Sequence, residues 1–139
     1  MRLSLVAGGL AAAMLIAGLA FQPRPAYAVK EFRAEFAARY AKPNSRKPAD
    51  KAFAKVIDKA QCTICHPGDD KHKLTAYGAA VAQLVNQHDK GSKARIQAAF
   101  DAVARRRSDP FDPNAPTFGE LLDAGKLPRA PFEANENNP

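Results

Sequence analysis

Two cysteines and a histidine lie close together near the middle of the chain, as Cys62, Cys65 and His66 in the run CTICH. The imidazole directly follows the second thiol. Thiols at this spacing can add to the two vinyl groups of a haem as thioethers, and the adjacent histidine is then held beneath the iron. The motif therefore predicts one covalent haem c, attached through Cys62 and Cys65, with His66 as an axial iron ligand.

Three other uses of the same residues are open. A disulfide between Cys62 and Cys65 would close a very small loop and leave His66 without a role. A zinc site needs four ligands, so it would have to add His72 or His88 to the three. A thioredoxin-like redox pair is expected among alternating strands and helices, and this sequence shows no run of strand alternation. Haem attachment is the interpretation that uses all three residues at their observed spacing.

The first 28 residues have the pattern of a secretory signal peptide. Arg2 precedes an apolar run over residues 5–21, and the small-residue triplet AYA follows at residues 26–28. We expect cleavage after Ala28 and export to an oxidising extracytoplasmic compartment such as the periplasm. An uncleaved membrane anchor is the alternative, because the apolar run is close to the shortest length that spans a bilayer.

The second axial position of the iron has several candidates. The chain has two methionines, Met1 and Met14, and both lie in the predicted signal peptide, so a thioether ligand is excluded from the mature protein. The remaining candidates for this position are His88, His72, a lysine, a tyrosine, water or an open site. We favour His88, because it closes the apolar face of a helix predicted over residues 74–88, whereas His72 follows His66 too closely to reach the other face of the haem. A solvated His88 without haem contact is the alternative.

Helical periodicity surrounds the motif. Hydrophobic residues recur at steps of three and four, which predicts five short helices: 30–41, 49–60, 74–88, 92–106 and a last one that holds Phe118, Leu121 and Leu122 and ends at Gly125. The second helix leads directly into Cys62. Gly78, in the middle of the third, indicates close approach of another backbone or a flat ligand. We therefore expect an all-α fold, a small cytochrome c-like bundle around one haem, over residues 29–130, with a disordered tail over 131–139.

The chain is basic, with 21 lysines and arginines against 14 aspartates and glutamates and a formal net charge of +7. Loss of Arg2 and Arg24 with the signal peptide leaves a smaller positive charge. Such a charge favours an acidic redox partner protein, or peripheral contact with an anionic membrane surface, through long-range steering. It falls far short of a nucleic-acid-binding signature, and it gives no indication of the oligomeric state.

The run Cys62–His66 matches c-type cytochromes in general. More loosely, the succession of CTICHPG, Ala76-Tyr77-Gly78, Thr117-Phe118-Gly119 and Gly125-Lys126-Leu127-Pro128 resembles small monohaem cytochromes of planctomycete-type bacteria. This resemblance implies a helical single-haem domain and leaves the distal ligand and the partner open. The missing methionine departs from ordinary class I cytochromes and argues against a high-potential shuttle.

Two functions follow from these residues. The first is electron transfer by an iron that cycles between its ferrous and ferric states, in a protein that is not an enzyme. The second is a gas-binding or gas-sensing haem domain, or a haem subunit of a larger redox enzyme, and it requires an open or displaceable sixth ligand. Peroxidase chemistry is not expected, because no residue is marked as a distal acid or base apart from His72 and His88.

Overall fold

The computed structural model describes residues 29–68, 70 and 72–128. The predicted signal peptide and the predicted C-terminal tail lie outside these residues. Within them the chain forms five α-helices and no β-strand: α1 (Lys30–Tyr40), α2 (Pro48–Ala60), α3 (Ala76–Ala82), α4 (Lys93–Ala104) and α5 (Phe118–Asp123). The chain also forms two short 3-10 helices, here called the motif turn (Gln61–Ile64) and the His88 turn (Gln87–Asp89). The prediction of a helical fold with five short helices is confirmed for the described residues.

The third helix is shorter than predicted. It ends at Ala82, and His88 lies in a separate 3-10 turn. The cause is a local capping box, in which the Asn86 side chain accepts from the backbone N–H of His88 and the Asp89 side chain accepts from the backbone N–H of Asn86, both at 2.9 Å. These bonds begin a new turn instead of extending α3. The prediction that His88 closes the apolar face of one long helix is therefore wrong.

The core is built on aromatic rings from four of the helices. Phe36 of α1 meets Phe100 of α4 edge to face, with the ring centroids 5.8 Å apart, and Tyr77 of α3 meets Phe118 of α5 in the same way at 5.3 Å. Offset and edge-to-face pairs of this kind are the favoured arrangements of aromatic rings. α4 is the central helix, because it packs against α1, α3 and α5.

α2 covers the other side of α1 and positions the motif. Pro48 occupies its first turn, where the missing backbone N–H costs nothing. Phe53, Ile57 and Ala60 recur at steps of four and three and are buried, so one stripe of the helix packs inward. Gln61 then ends α2 with a φ of +48°, and this conformation turns the chain out of the helix axis into the cysteine segment.

The start of α5 is fixed by a second capping box. The backbone N–H of Glu120 donates to the Thr117 hydroxyl at 3.1 Å, and the backbone N–H of Thr117 donates to the Glu120 carboxylate at 2.6 Å. Two otherwise unpaired N–H groups at the helix start are thereby satisfied. None of the helices in the described part of the chain is long and apolar enough to cross a membrane.

Candidate functional site at the CxxCH motif

The two cysteines are brought together by the motif turn. The carbonyl oxygen of Cys62 accepts hydrogen bonds from the backbone N–H groups of Cys65, at 3.2 Å, and His66, at 3.0 Å. This closes the segment into a single tight turn. Cys62 is exposed and Cys65 is half-buried, so the turn presents one thiol to solvent and the other to the interior.

α3 is hydrogen-bonded to the backbone of the motif through Thr75. The Thr75 N–H donates to the Cys65 carbonyl at 2.9 Å, and the Thr75 hydroxyl donates to the Ile64 carbonyl at 2.8 Å. The same hydroxyl accepts from the Gly78 N–H at 3.0 Å. A buried side chain thus ties the start of α3 to both residues that precede His66, which fixes the motif to the helical core.

Gly78 explains how closely α3 approaches. A Cβ atom at this position would lie 2.9 Å from the Cys65 carbonyl carbon and closer still to its oxygen. The close approach predicted from a glycine within a helix is confirmed, and the neighbour is the backbone of the motif.

His66 is buried and held in one orientation. Its side chain is 5% exposed, and its Nδ1 atom lies 2.8 Å from the backbone carbonyl oxygen of Lys73. Because a carbonyl can only accept, this contact places a proton on Nδ1, so that in the neutral imidazole the lone pair is on Nε2. Metal-binding histidines are commonly oriented in this way, with the second ring nitrogen donating to a carbonyl. In this tautomer Nε2 is the nitrogen that would bind a metal.

The two thiols are free. Burial raises the pKa of the Cys65 thiol to about 12, and the neighbouring Cys62 adds to the shift. The described residues form no strand, whereas a thioredoxin-like pair is expected among alternating strands and helices. The structure does not join the two cysteines in a disulfide.

A cavity of about 240 Å³ opens beside the motif. The motif side contributes Gln61, Cys62, Ile64, Cys65 and His66, and α1 with its preceding residue contributes Val29, Lys30, Phe32, Arg33 and Phe36. The volume lies below the range of about 300–1,000 Å³ usual for pockets that hold a whole ligand. A haem would fill this cavity and extend beyond it.

The chemistry of the lining suits a covalently attached haem. Cys62, Cys65 and His66 line one cavity, whose other lining side chains are largely apolar. Lys30 and Arg33, also in the lining, are cations of the kind that pair with carboxylates such as the haem propionates. Among the described residues no group of three or more histidine, cysteine, aspartate or glutamate side chains is arranged to hold a bare metal ion, so the four-ligand zinc set is not assembled there.

The other two histidines lie elsewhere. His88 is exposed, and its turn packs against α4. His72 is also exposed, and its backbone N–H donates to the Asp70 carboxylate at 2.9 Å. Neither is among the residues that line the cavity, so the structure brings together Cys62, Cys65 and His66 but not the two candidate distal histidines.

Two parts of the site were not found from the sequence. The Lys73 carbonyl has no signal in the sequence, because any residue has a carbonyl. The contribution of α1 had a partial signal, since Phe32 and Phe36 fall four apart on one face, but that spacing also fits ordinary core packing.

No protein-family model, no curated protein and no solved structure matches this chain.

Proposed function

We propose that the chain is an exported monohaem c-type cytochrome that carries electrons, with Cys62 and Cys65 as the thioether attachment points and His66 as the proximal iron ligand. The observation that carries this proposal is the contact of His66 Nδ1 with the Lys73 carbonyl, at 2.8 Å. A buried, oriented histidine that lines one cavity together with two free cysteines has the features of an iron ligand beside a haem attachment site.

The residues of the chain have separate tasks in this function. When bound, the haem would supply an iron that accepts and gives up one electron. The Lys73 carbonyl orients the His66 ring by accepting from its Nδ1 atom. Thr75 and Gly78 hold the motif against α3. Phe32 and Phe36 provide apolar surface that excludes water from the attachment site.

Four lysines suggest where an electron partner would dock. Lys47, Lys51, Lys55 and Lys59, here called the lysine ridge, follow one another at steps of four along α2 and its N-cap. All four are exposed, and none forms an ion pair with another described residue within 4 Å. Asp58 is the one acidic residue within this stripe. The ridge ends close to Cys62, which favours an acidic partner that approaches along α2.

Attachment is tested by producing the full chain in a host that has haem-attachment machinery. We expect a protein with one haem that stays bound after denaturation, and a mass increase of one haem on the mature chain. Cys62→Ser and Cys65→Ser should each retain at most one thioether, and His66→Ala should lose the low-spin spectrum. His72→Ala is the matched control and should behave as the wild type. A wild-type protein without covalent haem under these conditions would overturn the proposal.

A gas-binding haem domain is the second candidate. One observation favours it, since His66 is the one imidazole among the residues lining the cavity. Carbon monoxide distinguishes the two functions. Rapid and tight binding to the reduced protein would favour the gas-binding domain, and slow or absent binding would favour the electron carrier.

A further inference from the structure

We propose that the α-amino group of Val29, formed when the signal peptide is cut after Ala28, is the second axial ligand of the haem iron. This inference rests on the proposed function and on cleavage at the predicted position. It supplies the ligand that the absence of methionine from the mature chain leaves unassigned.

Val29 is part of the cavity beside the motif. It is the N-cap residue of α1, and it lines the same cavity as Cys62, Cys65 and His66. Its carbonyl oxygen accepts from the backbone N–H of Phe32 at 3.0 Å, so the first turn of α1 fixes its position. Cleavage after residue 28 would convert its backbone nitrogen from an amide, which does not bind iron, into a primary amine with a lone pair.

The other nitrogen donors of the cavity are less suited. The guanidinium of Arg33 has donors and no acceptor atom, and it donates to the Gln61 side chain at 3.4 Å. Lys30 is exposed, and fixing its long side chain on a metal would cost rotamer entropy. Val29 is half-buried, and its amine is placed by the backbone itself.

The histidines considered from the sequence are farther removed in the fold. His88 belongs to a turn that packs on α4, and His72 is exposed beside Asp70, with its backbone N–H bonded to that carboxylate. Neither lines the cavity. With two nitrogen ligands, the iron would be low-spin and closed to exogenous gases, which agrees with electron transfer.

Selective labelling tests the ligand without any substitution. The holoprotein is purified from a host with haem-attachment machinery, and its mass establishes whether the mature chain begins at Val29. Growth with ¹⁵N-valine should then produce a strongly coupled ¹⁵N in pulsed electron paramagnetic resonance spectra of the ferric haem. A haem-loaded protein that lacks this coupling, or whose chain begins elsewhere, would overturn the inference but leave the proposed function intact. A protein that attaches no haem would overturn the proposed function instead.

A variant provides the second arm. Insertion of Gly-Ser between Ala28 and Val29 moves the new amine by roughly 7 Å of extended chain. We expect the ferric iron to become mainly high-spin and carbon monoxide to bind at least tenfold faster, with covalent haem content unchanged. His72→Gln and His88→Gln are matched controls, since neither lines the cavity, and both should keep the low-spin spectrum. Conversion to high spin by either control, or an unaltered low-spin insertion variant, would contradict the assignment.

Discussion

Gly78 lies so close to Cys65 that a Cβ atom at position 78 would stand 2.9 Å from the Cys65 carbonyl carbon. Both partners are backbone, so neither can move aside alone. The N-terminal turn of α3 and the motif turn therefore behave as one packed unit, and any side chain at position 78 must separate them.

Gly78→Ala is expected to destabilise the protein, because overpacking usually costs about 1–3 kcal/mol. The gain of about 1 kcal/mol that alanine brings to a helix interior offsets part of this cost, so the net loss should be up to about 2 kcal/mol. Chemical denaturation of the full chain measures the difference, and haem content per chain should fall with it. Gly91→Ala is the control, because a Cβ atom there meets nothing within 4 Å. Equal stabilities of the Gly78→Ala and Gly91→Ala variants would contradict the conclusion that α3 and the motif turn form one packed unit.

Thr75→Val should cost about 1–3 kcal/mol of unfolding free energy. The hydroxyl is buried, accepts from the Gly78 N–H and donates to the Ile64 carbonyl, so valine leaves both backbone groups without their partner. Thr75→Ser keeps the hydroxyl and should recover most of the loss. The comparison is made by denaturant unfolding, and a serine variant as unstable as the valine variant would show that the methyl group matters instead.

The helix count could be predicted, because amphipathic helices show their period directly. Haem attachment stays a prediction from the local spacing of Cys62, Cys65 and His66. The C-terminal end of the third helix could not be predicted from the sequence. Leu84 and Val85 continue the apolar period beyond Ala82, but the capping box at Asn86 and Asp89 outweighs it. The environment of His66 was equally hidden, since its orienting partner is a backbone carbonyl and its cavity depends on how α1 packs against the motif turn.

The capping box of α5 gives a pH dependence. The backbone N–H of Thr117 hydrogen-bonds to the Glu120 carboxylate, which lowers the pKa of Glu120 below its ordinary value of 4.5. A lowered folded-state pKa stabilises the protein above the unfolded value, and the stabilisation is lost as pH falls through the folded value. The stability difference between wild type and Glu120→Gln should be largest at neutral pH and shrink below about 4.5. A stability difference that grows as the pH falls would exclude the hydrogen bond between Thr117 and the Glu120 carboxylate as its cause.

The lysine ridge should make binding to an acidic protein surface sensitive to salt and to charge reversal. Lys51→Glu with Lys55→Glu reverses the centre of the ridge, while Lys90→Glu with Lys126→Glu makes the same charge change at exposed positions elsewhere. With immobilised poly-L-glutamate as the probe, the ridge variant should elute at lower salt than both the wild type and the control. Identical elution of the two double variants would mean that net charge, and not the ridge, governs docking.

Tyr77 and Tyr40 bury their hydroxyls close to each other, but neither hydroxyl has a partner at hydrogen-bonding geometry among the described residues. Burial is the main cause that raises the pKa of Tyr77, and the neighbouring Tyr40 contributes, so the Tyr77 hydroxyl stays protonated. A buried polar group without a partner costs about 1–3 kcal/mol. Tyr77→Phe should therefore leave the haem-free chain as stable as the wild type or stabilise it, as measured by denaturant unfolding.

The haem-loaded protein tests whether the Tyr77 hydroxyl gains a hydrogen-bond partner when haem is attached. Tyr77 contacts Phe36 at a ring-centroid distance of 5.7 Å, and Phe36 lines the cavity beside the motif. If the hydroxyl gains a partner only when haem is attached, Tyr77→Phe should lower the unfolding free energy of the loaded protein by about 1 kcal/mol or more and leave the haem-free chain unaffected. Tyr40→Phe serves as the comparison for the second hydroxyl. If Tyr77→Phe changes the unfolding free energy equally in the haem-loaded and haem-free proteins, the Tyr77 hydroxyl has no partner that depends on haem.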